Sequence, residues 1–132
     1  MRICLIIWWL KLAVREIRFT NQTANKSVNP YPGHKWYLRA AWLALTTGST
    51  TGSREVDMNL VLIGGASITL GKVSTSTVST TVYFTAAAST AATTQFYDTL
   101  VVGTVDSITF NATLLGTDSY EFVIQVEDII DE

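Results

Sequence analysis

At 132 residues the chain is long enough for one domain with a buried core and too short for two. Its 20 Thr beside abundant Val, Ile, Tyr, Phe and Trp, with Glu and Lys scarce, point to an all-β domain and away from a helical one. Only 15% of residues are charged and 48% are hydrophobic, a high share for a monomer, so subunit contacts are expected to hide the excess. The net charge of −2 conceals a separation: residues 1–54 hold eight of the nine Lys and Arg and one acid, whereas residues 55–132 hold Lys72 and ten acids. Kept apart by the fold, the halves would favour head-to-tail contacts between copies; mixed, they would give an ordinary surface. The basic residues occur singly and the total is acidic, which speaks against direct nucleic-acid binding. Cys4 stands alone, so an intrachain disulfide is excluded, and it reads as a small apolar residue.

Residues 1–14 are the compositional outlier, with eight uninterrupted apolar residues from Ile3 to Leu10. A membrane-spanning helix needs about 20, so no transmembrane span is expected. Lys11 interrupts the apolar core that a signal peptide would need, and no small-residue cleavage site follows. The segment is therefore structural: residues 1–14, ahead of a β-sandwich domain over residues 15–132, are either its first strand or an arm that pairs with a neighbouring copy. In the second case Leu5, Ile7, Trp8, Trp9 and Leu10 are the candidate assembly contacts.

Residues 15–20 alternate as a strand, and Asn21 to His34 is a connection. From Trp36 to Thr46 the alternation sets Trp36, Leu38, Ala40, Trp42 and Ala44 against Tyr37, Arg39, Ala41, Leu43 and Leu45. Both faces are largely apolar, so this strand is expected to be central. A flexible turn over 48–53 leads to a strand over 54–63, and Gly64-Gly65 marks a tight hairpin before Ile68 to Val73. Ser74 to Thr81 reads as a partly exposed edge, Val82 to Phe84 as a strand, and Ala86 to Thr94 as a loop or short helix. Strands follow at 96–102, 105–113 and 120–127. About eight strands with no room for crossover helices predict a single antiparallel β-sandwich, with a jelly roll as one form. The tail from Asp128 to Glu132 is either solvated or a short contact in which Ile129 and Ile130 enter a partner's groove.

The inventory for catalysis is thin, and no enzyme is expected. His34 is the only histidine, placed in a Pro-Gly turn, and no Gly-x-Ser-x-Gly elbow positions a nucleophile. One His and one Cys do not make a zinc site, Asp118 and Glu121 lack a calcium-loop spacing, and no Gly-rich phosphate loop is present. No cofactor or metal is expected. Trp36, Tyr37 and Trp42 are the candidate platform for a sugar ring if they are exposed, and core side chains if they are not. Asn21, Asn25 and Asn111 each open a glycosylation acceptor triplet, which matters only for a secreted chain.

One stretch carries a resemblance. Pro32-Gly33-His34-Lys35-Trp36-Tyr37-Leu38, running on through Leu43, Leu45 and Thr47 to Gly52-Ser53-Arg54-Glu55-Val56, resembles a pattern found in tailed-phage virion structural proteins with β-sandwich folds. The resemblance covers about residues 30–63. It implies a virion protein that decorates or cements a capsid, or belongs to the head or tail. Its partners would be copies of itself and a major capsid or tail protein, and Arg54 would brace its loop by pairing with a carboxylate. The rival expectations are an extracellular filament or surface-layer subunit and a carbohydrate-binding module.

Overall fold

The computed structural model describes residues 13–87 and 101–130. These residues form nine strands and no helix. The strands are β1 (Ala13–Gln22), β2 (Lys26–Val28), β3 (His34–Thr46), β4 (Arg54–Val61), β5 (Ser67–Thr75), β6 (Thr81–Ala87), β7 (Val101–Val102), β8 (Ser107–Thr113) and β9 (Ser119–Ile130). One sheet runs β1-β9-β3-β6, with the two-residue β7 also paired to β3; the other runs β2-β8-β4-β5. All pairings are antiparallel. With β7 set aside, the remaining strands taken in chain order lie as 1-8-3-6 and 2-7-4-5. That is the strand order of a jelly roll, so the expected all-β sandwich is observed in its jelly-roll form.

The core forms where the apolar sides of the two sheets meet. Val56, Met58, Leu60, Ile108 and Phe110 from one sheet pack against Leu38, Leu43, Leu45, Phe122, Ile124 and Val126 from the other, all nearly or fully buried. The Phe110 and Phe122 rings stack across the interface with centroids 3.8 Å apart. Alternation in β4 and β9 produces this directly, since successive side chains on a strand point to opposite faces.

In β3 the alternation breaks. Leu38 pairs with Val126 and Ala40 with Gln125, so Arg39 is an extra residue in the strand. A bulge of this kind shifts the phase by one, which exchanges the faces of everything beyond it. Trp36 and Leu38 point inward before the bulge, and Ala41, Leu43 and Leu45 after it. Trp36 and Trp42, which unbroken alternation would place together, therefore lie on opposite faces.

The two lateral openings between the sheets are closed unequally. At β5 and β6 the Phe84 ring lies over Gly71, where any Cβ would come within 2.2 Å of the ring. At the other side the ten-residue β1 and the three-residue β2 leave a groove. Ala13 and Val14, the last two residues of the hydrophobic segment set apart by composition, belong to β1. Leu5, Ile7, Trp8, Trp9 and Leu10 lie outside the described residues, as does most of the strand expected over 96–102.

Candidate functional site

Two ends of the sandwich hold most of the polar and exposed chemistry. The first is entered through the turn Tyr31-Pro32-Gly33-His34, closed by a 2.9 Å hydrogen bond from the His34 N–H to the Tyr31 carbonyl. Gly33 has φ of 80° there, which Pro at the preceding position and Gly at this one supply with little strain. The turn delivers His34 to the first position of β3, opposite Ile130 of β9. Its Nδ1 lies 2.9 Å from one oxygen of Asp128, whose other oxygen accepts a 2.8 Å hydrogen bond from Arg15. The Arg15 guanidinium also sits 5.0 Å from the Tyr31 ring centroid. The hydrogen bond from Arg15 to Asp128 is the main reason that the Arg15 pKa is raised, against burial.

Around this cluster the neighbouring turns are tied together. Asp106 accepts hydrogen bonds from the Gly103 N–H at 2.9 Å and the Ile63 N–H at 3.2 Å. Thr104 donates to the His34 carbonyl at 2.7 Å. These bonds fix the backbones of the 103–106 turn and of the hairpin at Gly64-Gly65, whose glycines have φ of 92° and 93°. They leave apolar side chains facing out. Val14, Tyr31, Ile63, Ile68 and Val105 are 63%, 60%, 72%, 49% and 65% exposed. Among the described residues seven large hydrophobic side chains are exposed, and five of them belong to this one end.

Beside it, between β1 and β2, lies a groove of about 220 Å³ lined by Arg15, Ile17, Phe19, Val28, Asn29, Tyr31 and Trp36. Trp36 is 2% exposed, and its indole N–H has no acceptor among the described residues.

The opposite end is closed by a buried ion pair. Arg54 Nε donates to Asp118 Oδ2 at 2.9 Å, and both side chains are fully buried. The guanidinium also donates to the carbonyls of Gly52, at 2.8 Å, and Thr50. Asp118 accepts from the backbone N–H groups of Gly48 and Leu115, each at 2.8 Å. Burial alone would push the Asp118 pKa up; the hydrogen bonds from Arg54, Gly48 and Leu115, together with the guanidinium charge, outweigh it and hold the carboxyl below its usual range. The Thr47 hydroxyl donates to the Thr77 carbonyl at 2.8 Å and accepts from the Thr80 N–H at 3.0 Å, which ties the loop after β5 to the end of β3. Tyr120 donates to the Ala24 carbonyl at 2.7 Å, and burial raises its pKa to about 12. The partner of Arg54 is thus Asp118, which the sequence presents only as an acid in a turn.

The candidate sugar residues are not brought together. Trp36 faces the core, whereas Tyr37 and Trp42 lie outward on either side of the Arg39 bulge. Trp42 instead packs against Tyr83 of β6, with ring centroids 5.7 Å apart. Ile129 and Ile130 are strand residues paired with Lys35 and His34, half-buried, and not part of a free tail. Asn21, Asn25 and Asn111 are all exposed, and the Asn25 side-chain Oδ1 accepts from the Ala112 N–H at 2.8 Å.

The two charge halves are interleaved: Arg15, Arg39 and Arg54 of the first pair with Asp128, Glu127 and Asp118 of the second. The contributions of Arg15, Asp128, Tyr31, Ile63 and Val105 escaped sequence reasoning. A large apolar residue beside Gly64-Gly65, and another within Thr104-Val105-Asp106, were the available signals, because turns rarely bury such side chains. No three His, Cys, Asp or Glu side chains converge as a metal site among the described residues. Nor is any helix among them long and apolar enough to cross a membrane.

No family model and no curated protein matches this sequence. Among solved structures the chain is similar to the SPBc2 prophage-derived protein YomS, with a TM-score of 0.44 and 17% identity, over 87% of this chain and 96% of that one.

Proposed function

We propose that this chain is a non-enzymatic structural subunit of a virus particle, a capsid-decorating or cement protein or a head or tail accessory. It acts through repeated contacts with copies of itself and with a major capsid or tail protein. The observation that carries the reading is the gathering of Val14, Tyr31, Ile63, Ile68 and Val105 at one end of the jelly roll, with Ile63 and Val105 on turns whose backbones are hydrogen-bonded. Burying apolar surface contributes about 25 cal/mol per Å², and a specific interface of ordinary size buries about 1,600 Å² in total. Symmetry in a shell or tube then multiplies a modest contact. The jelly roll itself recurs in capsid domains, and the pattern from Pro32 to Val56 points the same way.

The test is the mass in solution of the full chain by light scattering across a range of concentration, beside an Ile63→Asp/Val105→Asp variant. Assembly of the full chain that is lost in the variant, with the β-sheet circular dichroism unchanged, supports the reading. A full chain that stays monomeric at every concentration overturns it.

A second reading has one observation in its favour. Trp42 and Tyr83 form a tilted aromatic pair on the outer face of the five-stranded sheet, with Tyr83 62% exposed, and aromatic side chains on a sandwich face suit a sugar ring. Quenching or shift of tryptophan fluorescence by oligosaccharides, abolished by Tyr83→Ala, would move the assignment to a carbohydrate-binding module.

A further inference from the structure

We infer that the open cleft on the outer face of the four-stranded sheet, where β4, β5 and β8 meet above the buried Arg54–Asp118 pair, binds a neutral sugar through hydroxyl side chains and the Glu55 carboxylate. The inference stands apart from the assembly reading, because it uses the opposite end of the sandwich.

The cleft has a volume of about 520 Å³ and is lined by Ser53, Glu55, Ser74, Thr75, Ser76 and Thr113, with Arg54 beneath them. Sites for small molecules commonly hold about 300–1,000 Å³, so a sugar unit has room. Sheet register brings the lining together. Glu55 of β4 stands opposite Ser74 of β5 on one side and Thr113 of β8 on the other. Val56, the next residue in β4, is fully buried, so alternation turns Glu55 and the two hydroxyl residues beside it outward. Ser53 is added by the loop ahead of β4 and Ser76 by the loop after β5.

Each wall is fixed from below. Arg54 donates to the carbonyls of Thr50 and Gly52, and Asp118 accepts from the N–H groups of Gly48 and Leu115, which sets the chain before Ser53 and after Thr113. Thr75 Oγ1 accepts from the Thr77 N–H at 3.1 Å, and the Thr47 hydroxyl donates to the Thr77 carbonyl at 2.8 Å, which sets the third wall. A site ordered in advance binds with less loss of freedom.

The chemistry of the lining selects the ligand. No large apolar side chain is present, so an apolar molecule would gain little by entering. Every nitrogen of Arg54 is already engaged within the chain, and the charge that lines the opening is the Glu55 carboxylate, so an anion is disfavoured. No three His, Cys, Asp or Glu side chains converge among the described residues to hold a metal ion. A sugar matches what is left: its hydroxyls donate to the carboxylate and accept from Ser and Thr, and hydrogen bonds to a charged group are the stronger kind. Lys72 Nζ lies 3.1 Å from Glu55 Oε1 and steadies the carboxylate. Two residues along β4 on the same face, Asp57 Oδ1 is buried with no donor among the described residues, so the face beside the cleft is short of donors.

Saturation-transfer NMR on the full chain, with maltohexaose, cellohexaose and chitohexaose each in turn, tests the contact. The expected result is transfer to at least one of the three. It should be lost in Glu55→Ala and reduced in Ser74→Ala and Thr113→Val, and kept in Thr20→Ala, which removes an exposed hydroxyl from the other sheet. Circular dichroism checks that each variant is folded; if Glu55→Ala is not, the other two cleft variants decide. No transfer to any of the three sugars, or transfer that survives the cleft substitutions, overturns the inference. Loss in Tyr83→Ala alone also overturns it and moves the sugar to the Trp42–Tyr83 pair. None of these outcomes bears on the mass read by light scattering, so the assembly reading stands or falls separately.

Discussion

At one end of the sandwich Arg54 and Asp118 are buried together, and each guanidinium nitrogen and each carboxylate oxygen has a hydrogen-bond partner. At the other end Asp128 divides its carboxylate between Arg15 and His34, whose side chains remain 35% and 32% exposed. The closed end spends its polar groups on itself. Its loops are rich in Ser, Thr and Gly, and Thr47, Tyr120 and the ion pair draw them into one hydrogen-bonded unit. The open end keeps its backbone in order but turns Tyr31, Ile63 and Val105 outward. One end thus pairs its polar groups internally and the other leaves apolar side chains open to solvent, and substitutions should separate the two.

The largest effect is expected at the closed end. Arg54→Ala leaves the Asp118 carboxylate buried beside nothing of opposite charge, a change that costs about 3–5 kcal/mol. Urea unfolding would show the midpoint falling sharply, whereas Arg54→Met combined with Asp118→Leu should recover much of the loss. Equal destabilisation by the single and the paired substitutions would break the argument that the unpaired charge is the cause.

Acid should act through the same pair. The folded Asp118 pKa lies below its unfolded value, so its contribution is present above about pH 4 and is lost as the pH falls through the folded pKa. Asp57 works in the opposite sense, since burial and then Glu55 raise its pKa and relieve the fold on protonation. Asp118→Asn should therefore flatten the acid limb of the stability profile, and Asp57→Asn should steepen it. At the alkaline end Tyr120, raised to about 12, contributes stability that is complete below the ordinary tyrosine pKa and lost between about pH 10 and 12. Tyr120→Phe should remove that limb and lower stability by about 1 kcal/mol, read by unfolding at several pH values.

At the open end the same kind of change should matter less. Asp128→Ala frees Arg15 and His34 toward water, so a loss of about 1 kcal/mol is expected by urea unfolding. Ile63→Asp and Val105→Asp should change the unfolding free energy by no more than about 0.5 kcal/mol. A large loss of stability in these two variants would mean that the open end is part of the core, and the comparison would fail.

Much of the fold was legible in the residues. The alternation in 54–62 and 120–126, the Gly64-Gly65 hairpin and the Pro32-Gly33 turn are local signals, and each gave the element later observed. The phase of β3 was not legible past Arg39, because a bulge costs one residue of register and leaves no fixed signature in composition. Trp36 and Trp42 consequently read as neighbours on one face when they are not. The site was hidden more deeply. Arg15 and Asp128 are 113 residues apart, and His34 and Asp128 are 94 apart. No spacing rule reaches that far.

What the sequence determined by itself was the class: a Thr-rich, helix-poor chain whose periodicity of two commits it to an antiparallel sandwich. Strand periodicity is a local property, since each side chain's face depends on its own backbone. What only the tertiary structure decided was which strands became neighbours, and therefore which acid met Arg54, which side of the sandwich stayed open and which end collected the exposed apolar residues. Those outcomes depend on the jelly-roll pairing of β1 with β9 and of β4 with β8, and such long-range contacts are set by the packing of the whole core.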